Sequence, residues 1–151
     1  MFELFLPDAA ATDELGARLA HSLPAQAVVE LRGDLGAGKS TLARALLRAL
    51  GVTGTIRSPT YTLVEQYPLP VGGMALHLDL YRIGDPGELE FLGLDASEIR
   101  LWLVEWPERG RGALPAPDLC IELQVDGQGR RCKFLPASLA GEAWVGTVST
   151  Q

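Results

Sequence analysis

Asparagine is absent from all 151 residues. The Asn-Lys-x-Asp element with which regulatory GTPases read guanine therefore has no place here in its usual form. Lysine is scarce as well: Lys39 and Lys133 stand alone beside eleven arginines, and the formal net charge is -6. A chain that grips nucleic acid by itself carries a basic face, so any nucleic acid is expected to be held by a partner. Cysteine is limited to Cys120 and Cys132, with no Cys-x-x-Cys and no His/Cys cluster. That argues against a zinc site and leaves two reduced thiols in the strands of a hairpin as the expectation. No apolar run approaches the ~20 residues needed to cross a bilayer. The opening Met1-Phe2-Glu3-Leu4 lacks the basic and apolar regions of a secretory signal. A cytoplasmic protein with no membrane partner is expected.

What remains suits one domain spanning residues 1–151, 47% hydrophobic and 21% charged, as in ordinary globular chains. Phe2-Glu3-Leu4-Phe5-Leu6 alternates like a strand. Thr12 reads as an N-cap, with Leu15, Leu19 and Leu23 on one helical face. Ala27-Val28-Val29-Glu30-Leu31 reads as a buried strand running into a glycine-rich turn. Leu42, Ala43, Leu46, Leu47 and Leu50 follow helical spacing up to Gly51. Loop then strand is expected over residues 56–67, and another strand over 75–80. Asp85-Pro86-Gly87-Glu88 has the makings of a helix start. Residues 101–105 form an apolar strand ending in an acid. Residues 119–125 and 131–135, joined at Asp126-Gly127, form a hairpin. The tail beyond Pro136 carries no clear signal and is expected to be partly loose. Early alternation of helices and strands with a late hairpin predicts an α/β, P-loop NTPase-like three-layer fold. Its sheet should be mixed and mainly parallel, with a late antiparallel hairpin.

Gly33-Asp34-Leu35-Gly36-Ala37-Gly38-Lys39-Ser40 satisfies G-x-x-x-x-G-K-[ST] at every fixed position, after an apolar strand and at the head of an amphipathic helix. Glycines let the backbone turn tightly and bring its N–H groups against phosphate. The helix that follows points its positive end at the same oxygens. Lys39 can reach the β- and γ-phosphates, Ser40 can place its hydroxyl on Mg²⁺, and Thr41 can bond a neighbouring phosphate oxygen. The expected ligands are thus ATP and Mg²⁺, with adenine favoured over guanine. Thr12 and the hairpin arginines Arg130 and Arg131 are candidates to line the base. Arg109 is a candidate for phosphate.

A P-loop needs an acid from a nearby strand end to fix the metal. Glu105 closes Leu101-Trp102-Leu103-Val104, and Asp79 closes Leu76-His77-Leu78. A buried carboxylate is costly unless paired or bound to metal. Both acids therefore stand as candidates, one for the metal and one to orient an attacking water. His21 and His77 read as ordinary surface and strand residues. Thr60, behind Pro59 in the loop after the P-loop helix, has the position of a switch hydroxyl that orders around a γ-phosphate.

Four blocks in order resemble the TsaE (YjeE) family. They are the P-loop with its Asp-Leu-Gly-Ala interior; Ser58-Pro59-Thr60-Tyr61-Thr62-Leu63-Val64-Glu65; His77-Leu78-Asp79-Leu80-Tyr81-Arg82 with Asp85-Pro86 and Glu88-Leu89-Glu90; and Val104-Glu105-Trp106-Pro107-Glu108-Arg109-Gly110. They run from about Thr12 to Arg131. Serine stands at position 40, where the family usually has threonine. The resemblance implies a bacterial ATPase needed for threonylcarbamoyladenosine on tRNA. It would act on the TsaB–TsaD pair, of which TsaD makes the bond to tRNA, and its ATP cycle would reset that complex. It also implies that Lys39 contacts phosphate and that Ser40 and Glu105 hold Mg²⁺. Asp79 and Thr60 would act near the γ-phosphate, with Trp106 beside the site. Two rival readings remain at this point: a small-molecule kinase, and a nucleotide sensor without turnover.

Overall fold

The computed structural model describes residues 2–60, 62–92 and 96–150. Tyr61 of the Ser-Pro-Thr-Tyr block, and the side chain of Glu90, lie outside what it describes. The elements in chain order are β1 (Phe2–Leu6), α1 (Ala9–His21), β2 (Ala27–Arg32), α2 (Lys39–Ala49), β3 (Val64–Pro68), β4 (Met74–Asp79), β5 (Ile99–Glu105), β6 (Leu119–Asp126), β7 (Gly129–Pro136) and α3 (Leu139–Ser149). Short 3₁₀ turns occupy Pro86–Leu92, Ala96–Glu98 and Pro107–Gly110.

The strands form one seven-stranded sheet in the order β1-β7-β6-β2-β5-β4-β3. The middle, β6-β2-β5-β4, is parallel. Antiparallel strands flank it: β3 beside β4, and β7 then β1 beside β6. This is the mixed α/β sheet expected, with the late hairpin closing at Asp126↔Gly129. The middle strands are apolar on both faces, as burial from two sides demands. Leu15, Leu19, Leu42, Leu46, Val29, Leu31, Leu101, Leu103, Ile121, Leu123 and Phe134 form the core under the helices. Leu76, Leu78 and Val104 point the other way, into a smaller core with Leu80, Ile83 and Leu89. Because strand side chains alternate, Ala75, His77 and Asp79 of β4 share the α2 side of the sheet with Leu101, Leu103 and Glu105 of β5.

Two local expectations are corrected. Thr12 does not cap α1. Asp8 does, accepting from Ala11 N at 2.9 Å, and Thr12 lies one turn inside the helix, buried. The helix-forming run Ala9-Ala10-Ala11 lets the helix begin as soon as a cap is available. The tail beyond Pro136 is not loose. Ser138 caps α3 by accepting from Gly141 N at 3.0 Å, and Trp144, Val145 and Val148 are buried against the main core. Asp85 does cap the segment after β4, accepting from Gly87 N at 2.9 Å, but the segment winds as a 3₁₀ turn. Gly87 in its first turn weakens the case for a longer α-helix. The two thiols are free and buried. Cys120 lies opposite Leu135 and Cys132 opposite Leu123, so they sit apart along the hairpin.

Candidate functional site

β2 delivers the chain into a loop that glycine alone permits at key points. Gly33 has φ +147, and a Cβ there would lie 2.4 Å from the Leu123 carbonyl oxygen. Gly38 starts α2 with φ 108 and ψ 11, a left-handed conformation that L side chains rarely adopt. No side chain caps α2, so its first amides face outward as donors for an anion. Ala37 folds under the loop, buried, its N–H donating to Asp34 O at 3.0 Å, while Leu35 is exposed at the tip. Gly36 turns with φ +81 and open space around it.

Lys39 is buried. Its ammonium donates to Gly33 O at 2.6 Å and lies 3.9 Å from the centroid of the Trp106 ring. Burial pulls this ammonium below its ordinary pKa, and the charges of Glu105, Asp79, Glu108 and Asp34, in that order, oppose the fall. One cation thus sits in an acidic surround that phosphates would have to enter through it.

Ser40, one residue into α2, donates its hydroxyl to Glu105 Oε2 at 2.9 Å. Glu105 is 3% exposed at the end of β5. The same Oε2 meets His77 Nε2 at 2.5 Å. Asp79 lies opposite Glu105 across the β4–β5 pair, buried, and its Oδ1 accepts from Tyr81 N at 3.0 Å. Among the described residues no three His, Cys, Asp or Glu side chains gather to hold a metal alone. The pair present fits a different demand. Mg²⁺ takes few protein oxygens when phosphate and water supply the rest, and bonds of about 2.1 Å at right angles set neighbouring ligand oxygens about 3 Å apart. The Ser40 and Glu105 oxygens already stand 2.9 Å apart.

Trp106 follows Glu105 with φ 55 and ψ 53, one of two non-glycine residues at positive φ among those described. Its ring packs on Tyr81 at 4.9 Å, and the exposed Arg109 guanidinium lies 5.3 Å from the Tyr81 ring centroid. Behind it, Arg111 grips Glu30 of β2 with two bonds, 2.5 and 3.1 Å long, and Arg32 adds a third at 3.1 Å. Burial pushes the Glu30 carboxyl up, but its bonds to Arg111 and Arg32 and their charges hold it below the usual value.

The two hairpin arginines part company. Arg130 lines a cavity of about 190 Å³ with Asp8, Thr12, Gly38 and Thr41, and its guanidinium donates to Gly36 O at 3.3 Å. Arg131 lies on the other sheet face, paired with Asp126 at 2.7 Å beside a broader groove with Arg32, Asp34 and Lys133. The structure therefore brings Thr12 and Thr41 together with Arg130. Arg131 stands apart from that cavity, as adjacent residues on a strand must. The Thr60 hydroxyl shares a 2.8 Å hydrogen bond with that of Ser58, in the loop between α2 and β3. Reading His77 as an ordinary strand residue misses its contact with Glu105. Its signal was the period of two that puts His77 on the same face as Asp79.

A family model described as "Threonylcarbamoyl adenosine biosynthesis protein TsaE" matches residues 6–132. Proteins named tRNA threonylcarbamoyladenosine biosynthesis protein TsaE are similar over most of their length. One from Haemophilus influenzae is 42% identical over 117 residues, covering 76% of this chain and 73% of its own. One from Synechocystis is 48% identical over 115 residues, covering 71% of each. One from Aquifex aeolicus is 36% identical over 131 residues, covering 85% of this chain and 91% of its own. Among solved structures, YdiB of Bacillus subtilis superposes with a TM-score of 0.77 at 24% identity, covering 99% of this chain and 94% of that one, a likeness of fold.

Proposed function

This chain belongs to the TsaE family, and from that premise we propose that it binds and hydrolyses Mg²⁺–ATP in the service of threonylcarbamoyladenosine formation on tRNA. The observation that carries the nucleotide part is the Ser40–Glu105 pair, 2.9 Å apart at the mouth of the glycine loop beside the buried Lys39. Ser40 and Glu105 would hold Mg²⁺, which supplies charge to the β- and γ-phosphate oxygens. The loop amides and Lys39 bind the phosphate tail, and Lys39 opposes the negative charge that grows there during transfer. Asp79 stands across from Glu105, in place to accept a proton from, and so orient, a water at the γ-phosphate. Thr60 orders near that phosphate when it is present. Asp34, Leu35, Gly36, Ala37, Gly38 and Thr41 complete the cradle. Thr12 lines the base side with Arg130, Arg109 stands toward the phosphates from the Tyr81 ring, and Arg131 stands apart, paired with Asp126.

The partner in this reading is the TsaB–TsaD heterodimer. The net charge of -6 supports leaving tRNA to that complex. The action is placed in the cytoplasm, away from any membrane; no helix among the described residues is long and apolar enough to cross one. The metabolite-kinase reading draws no support from the relatives. Calorimetry with ATP and ADP at saturating Mg²⁺, with Lys39→Ala as control, tests binding. ATP turnover with and without TsaB–TsaD tests the rest. Saturable heat lost in Lys39→Ala, weaker Mg²⁺ dependence in Glu105→Ala and turnover altered by TsaB–TsaD are expected. No heat from either nucleotide would overturn the proposal.

A further inference from the structure

We propose that His77 is a positioning residue for the metal site: its Nε2–H holds Glu105 Oε2, so that the carboxylate keeps its aim once the Ser40 hydroxyl turns to a divalent cation. This rests on the Mg²⁺–nucleotide reading above and goes beyond it by giving a role to a residue outside the usual loop-and-acid set.

Glu105 is 3% exposed and His77 2%. A carboxylate in such a place needs donors. Ser40 Oγ at 2.9 Å and His77 Nε2 at 2.5 Å both supply a hydrogen bond, and both use the same oxygen, Oε2. When the Ser40 oxygen and Oε2 both give lone pairs to the same cation, the Ser40 O–H points away from that ion and out of line with its neighbouring ligand, and the donor is lost to Oε2. His77 then remains to hold it. The ring lies on β4 and the acid on β5, strands locked in parallel register with His77 opposite Leu103. The donor therefore cannot drift relative to the acceptor.

A packing role explains His77 poorly. The neighbours on its face are the buried apolar Ala75, Leu101 and Leu103 and the acids Asp79, Glu105 and, across from it on β3, Glu65; of these acids Glu105 is the one bonded to the ring. His77 Nδ1 is buried and, among the described residues, has no hydrogen-bond partner. An unmet buried polar atom is unfavourable, since it has left water and gained nothing in return. The imidazole therefore carries that cost for the bond made by its other nitrogen. The tautomer with hydrogen on Nε2 follows, because Nδ1 has nothing to donate to. Groups that orient metal ligands in this way typically change metal affinity about 10–100-fold when removed.

The test uses the full chain with ADP and Mn²⁺ as the spin-active probe. Free Mn²⁺ is followed by electron paramagnetic resonance, and ADP affinity in EDTA is measured by calorimetry. His77→Leu should weaken Mn²⁺ binding to the ADP complex about 10–100-fold, with ADP affinity in EDTA unchanged. His77→Gln, whose amide N–H reaches toward Oε2, should recover most of the loss. In a Glu105→Gln background, His77→Leu should add nothing. If His77→Leu does not fold, His77→Asn, whose shorter amide withdraws the donor, serves as the loss variant. Unchanged Mn²⁺ affinity in the loss variant, no recovery in His77→Gln, or a full further loss in the Glu105→Gln background would each overturn the role of His77. Wild-type protein that binds ADP in EDTA but shows no Mn²⁺ uptake would overturn the metal reading itself, and the proposal with it.

Discussion

The Lys39 ammonium lies 3.9 Å from the centroid of the Trp106 ring, and Trp106 holds that ring in place from a left-handed backbone at φ 55. For a bulky residue this conformation costs about 1–2 kcal/mol, and a partly desolvated cation–π contact returns about the same. The two effects nearly balance, so a phosphate that draws the ammonium away leaves the indole without its cation. Nucleotide binding should therefore change Trp106 emission. The change should vanish in Trp106→Phe while Trp102 and Trp144 still fluoresce. A steady-state titration with ATP checks this, and a full-sized signal in the phenylalanine variant would refute it.

Gly33 and Gly36 both have positive φ, yet their surroundings differ. At Gly33 an added Cβ meets backbone, the Leu123 carbonyl oxygen at 2.4 Å; at Gly36 it meets nothing within 4 Å. Gly36→Ala carries only the conformational penalty, about 1–2 kcal/mol. Gly33→Ala carries that penalty and must also push β6 away from β2, so a loss of roughly 3 kcal/mol or more is expected. Urea denaturation of the two variants ranks them. Equal midpoints would mean that the loop gives way at Gly33 without strain.

Much of this was legible in the residues, and the gaps have physical causes. The P-loop, the two strand-end acids and the hairpin read directly, because each is fixed by local chemistry. Thr12 has a side chain that suits a cap, but Asp8 suits one as well and comes first. Arg130 and Arg131 cannot be told apart without knowing which sheet face the loop crosses. α3 gives little signal in the sequence because its buried residues, Gly141, Trp144, Val145 and Val148, are flanked mainly by the small Ala140, Ala143, Gly146 and Thr147, with Glu142 the single charge of the helix. An apolar helix with small residues on its outer face shows little periodicity. The His77–Glu105 bond joins residues 28 positions apart, and it became visible only once β4 was placed beside β5.

Glu30 ties β2 to the loop behind Trp106 through Arg111, at 2.5 and 3.1 Å. Its carboxyl is held below the ordinary value of 4.5 by its arginines. The sign follows from linkage. A depressed acid stabilises the fold above its unfolded pKa, and that contribution fades as pH falls through the folded value. Glu30→Gln should therefore cost stability at pH 7, about 1–3 kcal/mol given that both arginines are half exposed. The deficit should shrink below pH 4.5. Urea midpoints of wild type and variant across pH 3–7 measure it, and a deficit that grows in acid would contradict the pairing.

The C-terminal helix is part of the core. Trp144 is 2% exposed and its indole N–H donates to Leu19 O at 3.2 Å, while the Arg18 guanidinium donates to Val148 O. Ser138 also donates to Asp118 Oδ1 at 2.7 Å, and Asp118 Oδ2 accepts from Val28 N at 2.9 Å, so the cap of α3 is wired to β2. Removing the indole leaves a large void and an unpaired carbonyl, a loss of about 3–5 kcal/mol. A domain of this size has only about 5–15 kcal/mol in total, so Trp144→Ala should lower the melting temperature steeply. Leu139→Ala, at 84% exposure in the same helix, should change it by no more than about 0.5 kcal/mol in stability. Differential scanning calorimetry of the two variants compares them. If both melt alike, α3 rests on the surface of the fold and the covering of Leu19 and Phe134 must come from elsewhere.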